Sequence, residues 1–511
     1  MADIPVLCAI RGYEAPVAKE TPSGRRRLQA LQRASLESIG SVLFETHRRG
    51  THLVFVGSKR DAEMLCADLK ARSAAASLDD RFDVHHGSMG KKERERLEQR
   101  LRNGEPRTVV TTPTLELGMD IGTVDSVELI GAPRSIGSFR QRIGRSGRRS
   151  ARAVARIHVT EEPLGSAVSL LDRLRLNTAR AVASLNLLKE RFVEAPMVDG
   201  TMLTVVLQQT LSFVRQNDAV TFRELSRLIR SVTPFDRLSR QSYQELVAAL
   251  CATDVGLLRE DADGAYRLSE RGEQLFNSRE IFAVFQTAVD WEVWSRSEWI
   301  GCLLRAMPVD VGDEFRLGGK AWKAVAVNTS RNRITVEPSL SGATPYFHIS
   351  GEDQIDPALA GEMRRVLADE TNIPRVCDQV SASFLSQGRA AFRNERLHDR
   401  AVVEQAGQQI CHLFSWKGTR FNALLAVLLR FKRFACEHNE VGVSVACANP
   451  AHVLEALSDK VPTIEQLSGC LESLHVGKFD KWIPEKLLRE DWAKRHLDLA
   501  PEIAEFCVTL R

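Results

Sequence analysis

Short apolar runs alternate with helical stretches between residues 51 and 160, and this alternation constrains the fold more than any other feature of the chain. The runs THLVFVG (51–57), TVVTTP (108–113), VELIGAP (127–133) and ARIHVT (155–160) have the length and residue types of buried strands. Strands that alternate with helices over short links form a parallel sheet covered on both faces. We therefore expect an α/β domain in this part of the chain.

Helical patterns fill the spaces between these strands. Ser58 occupies a helix N-cap position, and behind it Leu65 and Leu69 mark one apolar helix face. The charged stretch KKERERLEQRLRNG ends at Gly104, a residue typical of helix ends. A further helix, carrying QRIGRSGRR, is expected between the last two strands.

The strongest chemical feature is a group of arginines without acidic neighbours. Between Leu129 and Thr160 the sequence contains eight arginines and no Asp or Glu: Arg134, Arg140, Arg142, Arg145, Arg148, Arg149, Arg152 and Arg156. Arginine suits bidentate contact with phosphate oxygens, and Gly144 and Gly147 leave room for a phosphate to approach the backbone. A solvated basic helix face is the alternative interpretation.

The unusual residue clusters all follow predicted strands. They are GSKR after the first strand, HHGS (85–88), TTPTLELGMDIG (111–122) and the arginine stretch. Ligands of parallel sheets collect at the carboxyl ends of the strands, so we expect a phosphate-binding site at this edge. For each single Ser or Thr, a helix cap is the alternative.

HHGS, TTPTLELGMDIG and QRIGRSGRR, in this order and spacing, resemble the motifs of the second RecA-like domain of superfamily 2 helicases. The resemblance implies that Arg145 and Arg148 are arginine fingers, which stabilise the phosphoryl group during transfer. It implies that Gln141 bonds the terminal phosphate of ATP and that Gly118 and Asp120 lie at the nucleotide. Arg142 is implied to hold the motif to its own domain.

The same resemblance implies contacts to a single nucleic-acid strand. Thr112, Ser88 and Ser58, with the Gly57 amide, would bond backbone phosphates without reading sequence. The partner would be single-stranded DNA or an RNA–DNA hybrid.

The other half of an ATPase site is not found in the sequence. There is no GxxxxGK[ST] phosphate loop and no apolar strand that ends in an Asp-Glu pair able to hold Mg²⁺; Asp313-Glu314 lies in a hairpin context. We expect that a first RecA-like domain, missing here or on a partner polypeptide, completes the ATP and Mg²⁺ site. The chain alone is expected not to hydrolyse ATP.

The remaining residues predict accessory domains. Capping boxes at Thr221-Glu224 and Ser242-Glu245, followed by a hairpin turn at Asp263-Gly264, predict a winged helix, with a structural helical brace as the alternative. Alternating residues in 311–338 predict a small β-barrel-like sheet. Trp291, Trp294 and Trp299 are expected to be mostly core, and the alternative is one exposed, base-stacking tryptophan.

This order of parts resembles the Lhr (large helicase-related) family over most of residues 40–450. The departures are Pro113 and Met119 in the TTPTLELGMD stretch and the missing first RecA-like domain. The fold expected is α/β plus accessory domains. The predicted division is a RecA-like domain (1–165), a helical connector (166–200), a winged helix (201–285), a small β domain (286–360) and a mainly helical domain (361–511).

The resemblance implies an ATP-driven, 3′-to-5′ helicase on DNA or RNA–DNA duplexes. The alternative function is a non-catalytic nucleic-acid-binding or regulatory module. Composition agrees with a local rather than a global nucleic-acid surface, because the net charge is only +4. The ten cysteines form no CxxC pair, and no zinc-spaced ligand set accompanies them, so no metal site is expected. Without a signal peptide or an apolar run long enough for a membrane span, a cytoplasmic location is expected.

Overall fold

The computed structural model describes most of the chain. The described residues are 6–15, 25–116, 122, 124–147, 152–165, 169–196, 200–284, 290–296, 298–304, 309–317, 320–329, 331–339, 354–405, 409–447, 449–458, 461–471, 474–475 and 477–510.

The N-terminal part is built on a parallel sheet with the strand order β1-β6-β5-β2-β4-β3. Its strands are β1 (Val6–Glu14), β2 (His52–Phe55), β3 (Phe82–His85), β4 (Thr108–Thr111), β5 (Ser126–Ile130) and β6 (Ala153–Glu161). Every neighbouring pair in this sheet is parallel. The predicted α/β layer structure of residues 51–160 is therefore confirmed, and β1 is an edge strand that the sequence patterns did not predict.

Helices α1 (Arg25–Thr46), α2 (Lys59–Ala75), α3 (Lys91–Arg102) and α4 (Ile136–Ile143) cover this sheet. The predicted helix through QRIGRSGRR is too long, because α4 ends at Ile143. Gly144 is its C-cap, Gly147 has a φ of +80°, and Ser146 pairs with Val124 in a short parallel bridge. Arg145 therefore lies on a turn after α4 and does not continue the helix.

Connector helices join the sheet to the C-terminal part. They are α5 (Leu170–Arg173) and α6 (Leu176–Lys189). The core of the parallel sheet continues through buried residues of α6 into the helices that follow residue 356. Arg180 of α6 forms a buried ion pair with Glu440, which ties the connector to the C-terminal part.

Residues 200–284 form a helical unit with a small antiparallel sheet of order β7-β9-β8. Its elements are α7 (Leu203–Asn217), β7 (Val220–Thr221), α8 (Phe222–Arg230), α9 (Arg240–Cys251), β8 (Leu258–Glu260), β9 (Ala265–Leu268) and α10 (Glu270–Asn277). The capping box at Thr221-Glu224 is present, and β8 and β9 form the predicted hairpin. The box predicted at Ser242 is wrong, because Ser239 caps α9 by accepting a hydrogen bond from the Ser242 amide.

A sheet of order β11-β10-β14-β13-β12 follows, here called the small β sheet. Its strands are β10 (Asp290–Ser295), β11 (Glu298–Leu304), β12 (Glu314–Leu317), β13 (Lys320–Asn328) and β14 (Arg333–Ser339). Trp291 is buried in its core, whereas Trp294 and Trp299 are partly exposed. Strand β11 lies at one edge of this sheet.

The C-terminal part contains the helices α11 (Pro357–Ala368), α12 (Gln379–Asn394), α13 (Gly418–Phe431), α14 (Pro450–Ser458), α15 (Ile464–Ser468), α16 (Glu485–His496) and α17 (Ala500–Thr509). It also contains a sheet of order β15-β16-β18-β17, which the expectation of a mainly helical region missed. Those strands are β15 (Val402–Gln405), β16 (Ile410–Phe414), β17 (Cys436–His438) and β18 (Gly442–Ala446).

Candidate functional site

Three adjacent β-strands bring the residues that are predicted to contact a nucleic-acid strand to one edge of the parallel sheet. Phe55 of β2 and His85 of β3 both pair with Thr111 of β4, which lies between them. The chain leaves all three strands at this level, so Gly57, Ser58, Ser88 and Thr112 follow at the same edge. We call these four the edge residues. The predicted gathering of polar groups at the carboxyl ends of the strands is present for this set.

The two histidines of HHGS fix the loop between β3 and α3. His85 bonds the Thr114 hydroxyl at 2.9 Å and the Glu98 carboxylate at 3.2 Å, and burial lowers its pKa. His86 bonds the buried Glu63 carboxylate of α2 at 2.8 Å. Both rings therefore connect the loop to its neighbours, and the loop holds Ser88 in a defined place.

Ser88 is paired with a lysine that the sequence patterns did not single out. The Lys59 ammonium donates to Ser88 Oγ at 2.6 Å, and only 4% of the Ser88 surface is exposed. Lys59 follows β2 in the GSKR segment, so its position after a strand end was the available indication. Ser58 accepts a hydrogen bond from the Asp61 amide at 3.0 Å, which makes it the N-cap of α2.

Gly57 and Thr112 complete the edge. Gly57 is exposed, and a Cβ added there would meet no atom within 4 Å. Thr112 is 6% exposed, and its amide donates to the His85 carbonyl at 3.3 Å. This edge therefore combines an exposed glycine, Gly57, with the buried hydroxyl residues Ser88 and Thr112 and with Lys59.

The arginine segment begins on the other side of β2, after β5. One hydroxyl and one carboxylate cap the N-terminus of α4. The Ser135 hydroxyl accepts a hydrogen bond from the Ser138 amide. The Glu194 carboxylate accepts hydrogen bonds from the amides of Ile136 and Gly137. Glu194 lies beyond α6, on the segment that leads toward α7. Gln141, near the C-terminus of α4, is exposed.

Arg142 and Arg145 both contact Glu116. Arg142 forms an ion pair with the Glu116 carboxylate at 2.9 Å, and its guanidinium lies 5.3 Å from the centre of the Phe55 ring. Arg145 is 7% exposed and donates to the Glu116 backbone carbonyl. Arg142 therefore contacts its own domain, as the resemblance implies. Arg148, Gly118 and Asp120 lie outside the described residues.

A second set of buried polar residues surrounds Glu128 of β5. Glu128 of β5 bonds His158 at 3.0 Å, His47 at 3.1 Å and Arg156 at 2.6 Å. Burial alone would raise the pKa of Glu128, but the hydrogen bonds from His158 and His47 outweigh burial and lower it. Because these groups satisfy one another in the interior, we interpret them as a structural network.

Among the described residues, no group of three or more His, Cys, Asp and Glu side chains is arranged to hold a metal ion. In the part of the chain that the structure describes, no helix combines the length and apolar character needed to cross a membrane.

Comparison with known proteins identifies a family that matches part of this chain. The family described as Helicase conserved C-terminal domain matches residues 34–150. The ATP-dependent helicase Lhr-Core protein 2 of Thermococcus barophilus is 29% identical over 318 residues, which cover 59% of this chain and 34% of that protein. The Lhr helicase/probable uracil glycosylase of Mycolicibacterium smegmatis is 27% identical over 282 residues, which cover 52% of this chain and 18% of that protein.

The chain thus matches about a third or less of the length of these two relatives. A solved structure, Mycobacterium smegmatis helicase Lhr bound to ssDNA and AMP-PNP, aligns with 99% of this chain and 65% of its own, at a TM-score of 0.58 and 18% identity. That likeness is one of fold. Residues 34–150 match the helicase conserved C-terminal domain, and these similarities together support a likeness to the C-terminal region of Lhr-type helicases.

Proposed function

We propose that this chain supplies the C-terminal half of an ATP-dependent, 3′-to-5′ helicase that acts on DNA or RNA–DNA hybrids. The observation that carries the proposal is that two sets of residues, one suited to a nucleic-acid strand and one suited to ATP phosphates, follow neighbouring β-strands. The edge residues follow β2, β4 and β3, while the arginine segment follows β5 on the other side of β2. A motor that converts phosphoryl transfer into movement along a strand needs both groups on one rigid sheet.

The arginine segment is proposed to face ATP. Gln141 bonds the terminal phosphate, and Arg145 and Arg148 stabilise charge on the transferred phosphoryl group, with Gly118 and Asp120 at the nucleotide. Arg145 would reach a phosphate by exchanging its bond to the Glu116 carbonyl. An arginine finger accelerates such reactions by about 10³–10⁵-fold. Mg²⁺ would be held on the half of the site that a first RecA-like domain supplies. A first RecA-like domain on another polypeptide or segment would bind the phosphates.

The edge residues are proposed to hold a single strand. Gly57 is exposed, and Lys59 brings a positive charge beside Ser88. Hydroxyl and backbone groups contact phosphates without reading bases, so binding should show no sequence preference. The ssDNA in the Mycobacterium smegmatis Lhr structure supports this assignment.

The accessory parts are proposed to follow the predicted domain division. The order α7-β7-α8-α9-β8-β9 supports a winged helix in residues 201–285. Its helix α9 is covered by α16, because Lys486 pairs with Glu245 at 2.9 Å and Ser242 donates to Glu490 at 3.4 Å. This packing favours a bracing role, since a helix covered in this way presents less surface to a duplex groove. The small β sheet supports the predicted β-barrel-like domain.

DNA-stimulated ATP hydrolysis tests the proposal. The chain is measured alone and then mixed with the first RecA-like domain of an Lhr-type relative. We expect no turnover from the chain alone and turnover from the mixture that Arg148→Ala abolishes. If the mixture binds single-stranded DNA but stays inactive, the non-catalytic binding module is the better description. Turnover by the chain alone would contradict the assignment of the phosphate loop to another domain.

A further inference from the structure

The loop that carries Ser88 is hydrogen-bonded to the edge strand of the small β sheet. The Gly90 amide donates to the Ile300 carbonyl at 2.6 Å, and the Cys302 amide donates to the Ser88 carbonyl at 2.7 Å. Between these bonds, Met89 and Gly301 form an antiparallel bridge. Residues 88–90 therefore extend the small β sheet beyond β11, although they belong to the helicase C-terminal domain.

Two glycines allow this close approach, one from each side. A Cβ on Gly301 would lie 2.0 Å from the Ser88 carbonyl oxygen, and a Cβ on Gly90 would lie 2.5 Å from the Trp299 carbonyl oxygen. Both obstacles are backbone atoms, which cannot rotate away as a long side chain can. Any side chain at either position must push the loop and β11 apart.

The loop is also anchored on its other side. The Met89 side chain is 4% exposed and packs in the apolar core between α1, α2 and the parallel sheet. Ser88, next to it, accepts the hydrogen bond from Lys59. The backbone of residues 88–90 is thus held between the core of its own domain and β11, and its position depends on both.

We propose that β11, through Gly301, is the positioning element that sets Ser88 and its bound Lys59 against the nucleic-acid strand. This rests on the proposed role of Ser88 at the strand-binding edge. A hydroxyl that accepts from Lys59 directs its own hydrogen elsewhere, toward a phosphate, and places the ammonium beside the same phosphate. A shift of the loop by a few tenths of an ångström would spoil both contacts at once. Strand binding by the helicase domain therefore depends on an accessory domain.

A double-mutant cycle tests this dependence. Affinity for a fluorescent oligothymidine is measured for the full chain, Ser88→Ala, Gly301→Ala and the double variant. Ser88→Ala should weaken binding about five-fold, the loss of one hydrogen bond worth about 1 kcal/mol. Gly301→Ala should weaken binding at least as much, and adding Ser88→Ala should then cost nothing more.

Gly361→Ala is the matched control. Gly361 lies in α11, and a Cβ there would meet no atom within 4 Å. In this background Ser88→Ala should retain its full effect. If Ser88→Ala changes nothing in the wild-type chain, the proposed strand contact is wrong and the inference falls with it. If Ser88→Ala costs five-fold in both the wild-type and Gly301→Ala backgrounds, the strand contact stands and the positioning role of β11 is wrong.

Amide hydrogen exchange gives a measurement that does not require Gly301→Ala to fold. On addition of oligothymidine to the wild-type chain, the amides of Gly90 and Cys302 should exchange more slowly, because the bound strand fixes the loop against β11. The Ala324 amide of β13, which donates to the Asp313 backbone carbonyl, is the internal control and should not change. Binding without added protection at Gly90 and Cys302 would overturn the inference.

Discussion

Arg142 and Glu116 form an ion pair at 2.9 Å that joins the C-terminal end of α4 to the loop after β4. The backbone carbonyl of the same glutamate accepts a hydrogen bond from Arg145. The arginine segment and the TTPTLE segment are therefore one structural unit. A substitution in this unit can act on folding as well as on chemistry, and the two effects can be separated.

Arg145→Ala is expected to lower both stability and turnover. It leaves the buried Glu116 carbonyl without this donor, which costs about 1–3 kcal/mol, and it removes a proposed finger. Arg148→Ala should lower reconstituted turnover by about 10³–10⁵-fold. Thermal unfolding of the chain and steady-state ATPase of the reconstituted mixture are the measurements.

Arg152→Ala is the control for both variants, because Arg152 is exposed and lies outside the motif. It should change turnover only slightly. Equal damage from Arg152→Ala and Arg148→Ala would mean that the arginines act as a diffuse basic surface. An Arg145→Ala variant with unchanged stability would show that its contact with Glu116 contributes nothing to the fold.

Lys59→Ala should weaken binding to single-stranded DNA and make it less dependent on salt. Each phosphate neutralised on a single strand contributes about −0.7 to the slope of log K against log salt concentration. Removing one ammonium should reduce the slope by about that amount. Titrations between about 50 and 200 mM salt measure it. Lys494→Ala, at an exposed position of α16, is the control, and an equal change there would refute a specific role for Lys59.

Glu194→Ala should loosen the N-terminus of α4 and reduce turnover of the reconstituted enzyme. The carboxylate accepts the Ile136 and Gly137 amides, and loss of such a cap costs about 1 kcal/mol. Faster exchange of these two amides, together with lower turnover, is the expected result. Glu190→Ala, at an exposed residue four positions earlier, should leave both unchanged. Unchanged exchange in Glu194→Ala would contradict the capping role.

The lowered pKa of His52 predicts that the folded chain loses stability in mild acid. Burial, with a smaller effect from neighbouring His47, lowers the pKa of His52 to about 4, from an ordinary value of 6.5. The unfolded chain therefore binds a proton between pH 6.5 and 4 that the folded chain does not. Stability from this group is complete above pH 6.5 and falls as pH drops to about 4, by up to about 1.4 kcal/mol per unit. Denaturant unfolding of His52→Gln across this range should show a shallower slope than the wild type. Parallel slopes would show that His52 does not contribute.

The sequence predicted the strands that are continuous apolar runs, since such runs are buried on both faces of a parallel sheet. Strand β1 was not predicted, because its place in the sheet depends on pairing with β6, over 140 residues away. The β15–β18 sheet was missed for a related reason. Its strands are three to five residues long, and their pairing is set by contacts distant in sequence.

The candidate site was predictable by position but not by contact. The helicase resemblance, carried by motifs that follow strand ends, indicated Gly57, Ser58, Ser88 and Thr112. The cap on α4 could not be inferred, because Glu194 lies 58 residues from Ile136. The end of α4 at Ile143 was obscured because the glycines of QRIGRSGRR fit a phosphate-facing helix as well as a turn. The bonds to β11 depend on a fit between two backbones, which residue types alone do not reveal.

Helix α16 has a consequence for how the chain is made. Its buried residues Leu487 and Leu488 complete the apolar core of the unit formed by residues 200–284. About 200 residues separate the end of that unit from these leucines, and translation at roughly 5–20 residues per second takes about 10–40 s to cover them. During that interval the nascent unit exposes an apolar surface that its own segment cannot cover. Its final packing must therefore wait for nearly the whole chain to leave the ribosome, and until then the surface is open to chaperones.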